Sequence, residues 1–473
     1  MLDLGWKTVE TLIVLLVAAV ALAVFTWSAL GFEELESVKG GKGYVSDEVW
    51  YVGSARTILV KVFGLEPRMP GDSYGYTVVY SGQVDYGVLE SLAARYGLRL
   101  RVDYSDLKAF YVSGSREGLT GFLSEARRYV EVGDVIPGWM MPDHSGINNY
   151  LNQEHPPLGK YIIAFTMYVL GDRPFYWRIP LIVLGASTTI LLYLSLRRLT
   201  GSTIAALAAS LLFTADPLVR TLFSIALLDG FVAFTSTLAF YLAVERRHGL
   251  AVAASLVGGL FKFTGLFTLI PLLVLYLRQG LRRRPSPYML VYTLTAFTLL
   301  SGLLFLTVLA AVSLPLINYM GLGNWVKYSL LGSITWHTSI KCNGPCPGSS
   351  APWDWFLGVN AFTVYVDPTV AAIGFYPFWS TVLVASIVLA PLVFRDKRYG
   401  LQWVFLTGVL AGYVAVWLAG GRSQYSFYSV QLAPFVYGGL VYTAAYALRR
   451  ENLAYLAGFY RRVSALAVWL LTR

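Results

Sequence analysis

Long apolar runs constrain this chain more than any other feature. Residues 11–30 read Thr-Leu-Ile-Val-Leu-Leu-Val-Ala-Ala-Val-Ala-Leu-Ala-Val-Phe-Thr-Trp-Ser-Ala-Leu, without a single charge. Roughly 20 such residues are what a helix needs to cross about 30 Å of hydrocarbon. Many later segments repeat the pattern, and 56% of the 473 residues are hydrophobic against 14% charged. A water-soluble domain does not have that balance. The sequence therefore predicts a polytopic α-helical membrane protein of about ten spans. The first run is expected to stay as a span rather than be cleaved as a signal peptide. Lys7 is the only basic residue ahead of it, set between Asp3 and Glu10, and the run exceeds a usual signal core.

The net charge of +10 is spread along the chain. Basic clusters at Arg197-Arg198, Arg246-Arg247, Arg282-Arg283-Arg284, Lys397-Arg398 and Arg449-Arg450 follow alternate spans. The positive-inside rule assigns them to the cytoplasm. Asp47, His155, Lys262 and Arg422 then fall on the outer side. The basic residues form no single stripe, which excludes a nucleic-acid partner.

Composition divides the chain further. Residues 1–31 form the first transmembrane helix. Residues 32–66 form an outer loop in which 47–63 reads as a surface-lying amphipathic helix, with Val49, Val52, Ala55, Ile58, Leu59 and Val62 at helical spacing. Residues 67–143 read as a small α+β insert in that first outer loop. Its pattern is strand, helix, strand, strand, helix, strand, the order of a ferredoxin-like fold. Residues 144–178 carry a second surface helix, because the apolar run 158–170 is too short to span. A transmembrane bundle follows over 179–314, then an irregular outer loop over 315–369, then further spans over 370–450 at 370–394, 401–418 and 427–448. Residues 451–473 read as an interfacial helix, since Arg461 and Arg462 interrupt their apolar run. The two cysteines, Cys342 and Cys346, lie in the outer loop, where an oxidising exterior favours a disulfide between them.

Two stretches carry the chemistry. Asp47 and Glu48 stand together just past the first span. Asn152-Gln153-Glu154-His155-Pro156-Pro157-Leu158-Gly159-Lys160 returns about a hundred residues later with a rigid proline turn. Charged groups near an outer bilayer face are costly without an anion, which marks His155, Arg178, Lys262 and Arg422 as candidates to hold one.

These residues resemble the protein O-mannosyltransferase family. His-Pro-Pro-Leu-Gly-Lys at 155–160 does so, with Gly171-Asp172-Arg173-Pro174 and the Phe-Tyr-Trp-Arg after it. So do Leu227-Leu228-Asp229-Gly230 and Phe261-Lys262-Phe263-Thr264-Gly265, and more loosely Ser349-Ser350-Ala351-Pro352-Trp353-Asp354-Trp355. The resemblance implies the GT-C class of membrane glycosyltransferases, which also holds the lipid A aminoarabinose transferases. It implies a polyprenyl- or dolichyl-phosphate sugar donor, a hydroxyl acceptor on a protein, and inversion. It also implies a catalytic Asp47-Glu48 pair on the extracytoplasmic side of a prokaryotic cell membrane. Glu154, His155, Lys160, Arg178, Asp229, Lys262, His337 and Arg422 are then the expected substrate-binding residues. No cofactor is required; Glu154 and His337 are the candidate ligands for a divalent metal, too few for a site by themselves. The expected partners are the donor lipid, membrane lipids and the acceptor. Two departures bear on that acceptor: the β-trefoil insertion of eukaryotic relatives is absent, and the ferredoxin-like insert is not a standard part of the family. The alternative within enzymes is transfer of a pentose or other sugar to a lipid or glycan. The alternative of another class is a transporter, which places charges at the bilayer midplane, whereas here they gather at one face.

Overall fold

The computed structural model describes residues 2–69, 74–283, 286–338 and 348–471. Helix α1, Leu2–Val38, contains the first apolar run. Val17, Ala21, Phe25 and Ala29 recur every fourth residue and are buried, while Leu12, Leu15, Leu16 and Trp27 on other faces are exposed.

Helix α2, Glu48–Thr57, continues into a π turn over Ile58–Val62. The sequence suggested a surface-lying amphipathic helix; the helix is present and is buried within the protein. Tyr51, Val52, Ala55, Ile58 and Leu59 are buried, and so are the polar Ser54, Arg56 and Thr57. The reason is the insert, whose exit segment covers the outward side of α2. A Cβ on Gly53 would lie 3.0 Å from Ile147 and 3.2 Å from Pro142.

The insert holds β1 (Tyr74–Ser81), α3 (Tyr86–Arg95), β2 (Arg99–Arg101), β3 (Ala109–Gly114), α4 (Arg116–Ala126) and β4 (Glu131–Pro137). The sheet order is β2-β3-β1-β4 with every neighbour antiparallel, which is the ferredoxin-like arrangement. Asp85 and Ser115 start the two helices by accepting hydrogen bonds from first-turn N–H groups. Side chains alternate across the sheet. Val78, Phe110 and Val112 face Leu89, Leu92, Leu119 and Phe122 on the two helices. Ala109 and Ile136 point the other way, into a cluster with Met141, Ile147, Trp50 and Tyr150. That second face brings the insert against α2.

After the insert come α5 (Leu158–Val169), α6 (Pro174–Thr200), α7 (Thr203–Ala215), α8 (Pro217–Leu222), α9 (Leu228–Val244), α10 (His248–Phe261), α11 (Leu269–Arg283) and α12 (Pro287–Val312). Pro174 starts α6 in its first turn, and Gly201 ends it with φ of 72°. Gly185 lets Phe223 and Phe25 press onto α6, where a Cβ would sit within 2.8 Å of both rings. By length and composition the described segments Thr8–Val38, Pro174–Thr200, Phe263–Arg282, Pro287–Val312 and Lys397–Leu418 are able to cross a membrane. Helix α12 leaves Leu299, Leu300, Leu303 and Leu306 exposed. Such a surface suits lipid and not water. The chain is an integral membrane protein. The expected count of about ten spans is not reached by these helices, because the remaining apolar ones run only 10–17 residues.

Three boundaries differ from the sequence reading. The expected outer loop of 315–369 begins as helix: α13 (Leu314–Met320), α14 (Leu322–Trp325) and α15 (Gly332–Thr338). Pro315 opens α13 in its first turn, where a missing N–H costs nothing. After the short α16 (Asp354–Leu357) the expected span 370–394 starts late. Residues Thr363–Tyr365 and Val370–Ala371 pair as β5 and β6, and α17 covers only Tyr376–Val388 before α18 (Leu392–Arg395). Helix α19, Lys397–Leu418, matches its apolar run. The last expected span opens as a 3-10 turn, Ser426–Gln431, before α20, Ala433–Tyr442. The terminal α21, Arg450–Leu471, is largely exposed. Cys342 and Cys346, with their expected disulfide, lie outside the described residues.

Candidate active site

The Asp47-Glu48 pair separates as soon as the backbone folds. Asp47 is the N-cap of α2 and Glu48 its first residue, so the two side chains leave in different directions. Ser46 before them has φ of 54°, a left-handed conformation unusual for serine, which sharpens the turn.

Glu48 points inward and is fully buried with Arg178. Its Oε1 accepts from Arg178 Nε at 2.9 Å and from the Ala226 N–H at 2.7 Å. Its Oε2 accepts from Arg178 Nη2 at 2.7 Å and from the Val45 N–H at 2.8 Å. Arg178 also donates to the carbonyls of Ala29 and Gly43. One ion pair thus ties α1, the turn ahead of α2, α6 and the entry to α9. Glu48 and Arg178 line neither of the two cavities described below; the pair and four backbone groups around it satisfy both side chains.

Asp47 points outward into a cavity of about 560 Å³. Trp50, Tyr51, Glu154, His155, Trp336 and Tyr425 share its wall. Burial pushes the Asp47 carboxyl up to about 6; Lys262 opposes the rise and Asp229 adds to it. Such a carboxylate is poised to exchange a proton near neutral pH.

The turn 152–157 forms another side of the cavity. Asn152, also left-handed at φ 50°, bends it. The Glu154 carboxylate accepts from the Tyr150 hydroxyl and from Asn152 Nδ2. Lys160 is fully buried beneath the turn, donating to the carbonyls of Asn152 and His155. Burial pushes its ammonium down to about 7, and Glu154 pulls the other way. Lys160 therefore braces the turn, where the sequence suggested contact with substrate.

A second cavity, of about 510 Å³, adjoins the first. Phe263, Phe267, Leu306, Leu330, Ile334 and Val416 make it apolar. Lys262, His337 and Tyr428 give it a polar corner, and Tyr428 belongs to both cavities. The His155 ring in the first cavity stands 5.4 Å from the His337 ring in the second. Lys262 Nζ donates to both oxygens of Asp229, at 2.9 and 3.1 Å, and sits 3.5 Å above the Tyr428 ring. The structure thus gathers Asp47, Glu154, His155, Lys262 and His337 around one junction. Arg422 lines neither cavity and lies at the surface, 5.5 Å from the Trp417 ring.

The aromatic walls were the part that residue-by-residue reading missed. Tyr425 and Tyr428 lie in Arg422-Ser423-Gln424-Tyr425-Ser426-Phe427-Tyr428, where the basic residue drew attention and the rings line the cavities. The tryptophan-rich stretch holds this segment in place: Ser350 N–H donates to the Gln424 carbonyl at 2.8 Å, and Trp355 packs 5.0 Å from Tyr413. Among the described residues no group of three or more His, Cys, Asp or Glu side chains is placed to hold a metal. Glu154 and His337 alone do not fit one.

Residues 154–314 match the family described as dolichyl-phosphate-mannose-protein mannosyltransferase. The match lies in the segment that carries most of the motifs resembling the protein O-mannosyltransferase family, and it covers about a third of the chain. The matched segment contains Glu154, His155, Lys160, Arg178, Asp229 and Lys262; Asp47 and His337 lie outside it. A polyprenol-phosphate-mannose–protein mannosyltransferase of Corynebacterium glutamicum is 32% identical over 128 residues, 26% of this chain and 24% of that protein. Its namesake in Mycobacterium tuberculosis is 27% identical over 140 residues, 26% of this chain and 27% of that protein. The chain thus spans about a quarter of the length of these relatives. Among solved structures, ArnT from Cupriavidus metallidurans bound to undecaprenyl phosphate aligns with 66% of this chain and 54% of its own, at 17% identity and a TM-score of 0.42.

Proposed function

We propose that the protein is a membrane glycosyltransferase of the GT-C class that moves a sugar, mannose in its most specific form, from a polyprenyl-phosphate donor to a hydroxyl acceptor on a protein. The observation that carries this is the junction itself. An ionisable carboxylate with a raised pKa, Asp47, stands in a polar aromatic cavity that meets an apolar cavity at Tyr428, His155 and His337. A lipid-linked sugar has the matching parts. Its isoprenoid chain suits the apolar cavity, its phosphate suits the corner held by Lys262 and the two histidines, and its sugar reaches the aromatic cavity. The names of the bacterial relatives support the same donor class and a protein acceptor.

In this reading Asp47 takes the proton of the acceptor hydroxyl as that oxygen attacks the anomeric carbon. The bond from that carbon to the phosphate oxygen breaks, its electron pair leaves with the polyprenyl phosphate, and the anomeric centre inverts. Lys262 favours the step because negative charge grows on the departing phosphate. Asp229 holds the Lys262 ammonium in place, and Glu48 with Arg178 holds the backbone that presents Asp47. The site then faces the extracytoplasmic side of a prokaryotic membrane, because the basic clusters gather at the other end of the bundle.

The test is to incubate the purified protein with a panel of labelled polyprenyl-phosphate sugars and a Ser/Thr-rich peptide, and to measure sugar on the peptide and released lipid phosphate. Release of lipid phosphate only from the mannosyl donor, with mannose on the peptide, is expected. No turnover with any donor in the panel defeats the reading.

A further inference from the structure

A third cavity, of about 720 Å³, lies at the opposite end of the bundle. Along α6 the rise from Arg178 to Arg198 is about 30 Å at ~1.5 Å per residue, close to the thickness of a hydrocarbon core. The cavity is walled by the ends of α6, α9, α10, α11 and α19. Arg198, Arg246, Arg278, Arg282, Lys397 and Arg398 line it.

The charge around it is unbalanced. Glu245 is the single carboxylate on the wall, and Arg198 holds it at 2.9 Å. Asp396, next to Lys397, is occupied by the Tyr442 hydroxyl and the Arg398 N–H. Among the described residues, no carboxylate lies within 4 Å of Arg246, Arg278, Arg282, Lys397 or Arg398 in an ion pair. Arg278 is half-buried, its Nη1 3.7 Å from where a Cβ on Gly400 of α19 would lie. His248 adds a further polar group to the wall. Arg198, Arg246, Arg282, Lys397 and Arg398 are exposed to solvent at the cavity. Here cations from four chain segments converge on one concave space, and their mutual repulsion is relieved by an anion inside it.

We infer that this cavity is a binding site for a phosphate-bearing anion, separate from the site at Asp47. Two sources share that chemistry: the headgroup of an anionic phospholipid in the inner leaflet, and a free phosphate or diphosphate. The inference rests on the cavity alone and stands whether or not the transferase reading does.

The experiment uses the intact purified protein in detergent. Thermal unfolding is followed while phosphatidylglycerol is titrated in, with phosphatidylcholine as the uncharged control and inorganic pyrophosphate as the free anion. Binding raises the melting temperature in a concentration-dependent way, which yields an affinity. Arg278→Gln with Arg282→Gln is expected to weaken binding roughly 30-fold. Arg246→Gln with Lys397→Gln, both exposed positions, is expected to weaken it similarly and serves if the first pair folds poorly. Arg461→Gln with Arg462→Gln, exposed on α21 away from the cavity, is expected to leave it unchanged. A response to phosphatidylglycerol but not to pyrophosphate supports the lipid source, and a response to pyrophosphate supports a free anion. If neither probe shifts the wild type, or if the cavity variants bind as the wild type does, the inference is overturned.

Discussion

Asp47→Asn separates chemistry from folding. The substitution keeps size and hydrogen bonding and removes the ability to take a proton. With a carboxyl pKa of about 6, Asp47 is mostly ionised at pH 7.5 and able to act as a base. Losing a general base costs about 10²–10⁴ in rate, or roughly 3–5 kcal/mol of barrier. Stability should move the other way. The folded protein keeps the Asp47 proton up to about pH 6, whereas the unfolded chain releases it near the ordinary 3.8. The folded state is therefore penalised as pH rises from about 4 to about 6, and the penalty persists above. Asparagine carries no such penalty. Above pH 6 the variant should be at least as stable as the wild type, by up to about 3 kcal/mol. Transfer of labelled mannose to a peptide gives the rate, and thermal unfolding in the same detergent gives the stability. Near wild-type transfer by Asp47→Asn would falsify the assignment and pass the role of base to Glu154. A large fall in melting temperature would make any loss of activity a folding effect.

Other outcomes follow from the same geometry. Glu48→Gln should cost about 3–5 kcal/mol of stability, because it strands the buried Arg178; Glu48→Leu with Arg178→Met should recover part of it, and a Glu48→Gln protein that melts with the wild type refutes the structural role. The wild-type kcat/KM should fall about tenfold per pH unit below about 6, as Asp47 protonates; a flat profile between pH 5 and 7 (a range of about two units around the Asp47 value) would contradict Asp47 as the base. Lys262→Met, made with Asp229→Asn so that no lone buried carboxylate remains, should weaken donor binding by tenfold or more, about the loss of one charge-assisted contact. Arg422→Gln should change donor binding little, and equal effects from the two would argue against the phosphate corner.

Periodicity alone was enough to identify a membrane protein and the ferredoxin-like order of the insert. Each is written locally: apolar runs of span length, alternating strands at 98–103, and capping residues such as Asp85 and Ser115. The motifs also brought Asp47, Glu154, His155, Lys262 and His337 onto the list of site residues. What local sequence cannot carry is the partner each charge acquires. Asp47 and Glu48 are adjacent carboxylates with the same surroundings in sequence, yet one faces a cavity and the other is locked to Arg178, 130 residues away. Lys160 and Lys262 were both expected among the substrate-binding residues; one braces a turn and the other meets Asp229 at the cavity corner. The amphipathic 47–63 segment reads as a helix from its own residues, but nothing in them announces the insert that covers it. The same holds for the rings of Tyr425 and Tyr428, which become cavity walls only once the tryptophan-rich stretch packs behind them. Hydrophobic periodicity acts between neighbours along the chain, and so the sequence alone determined the first apolar helix, the insert and the apolar run of α19. Charge pairing and cavity shape act between residues brought together from distant places, and only the tertiary structure decided them.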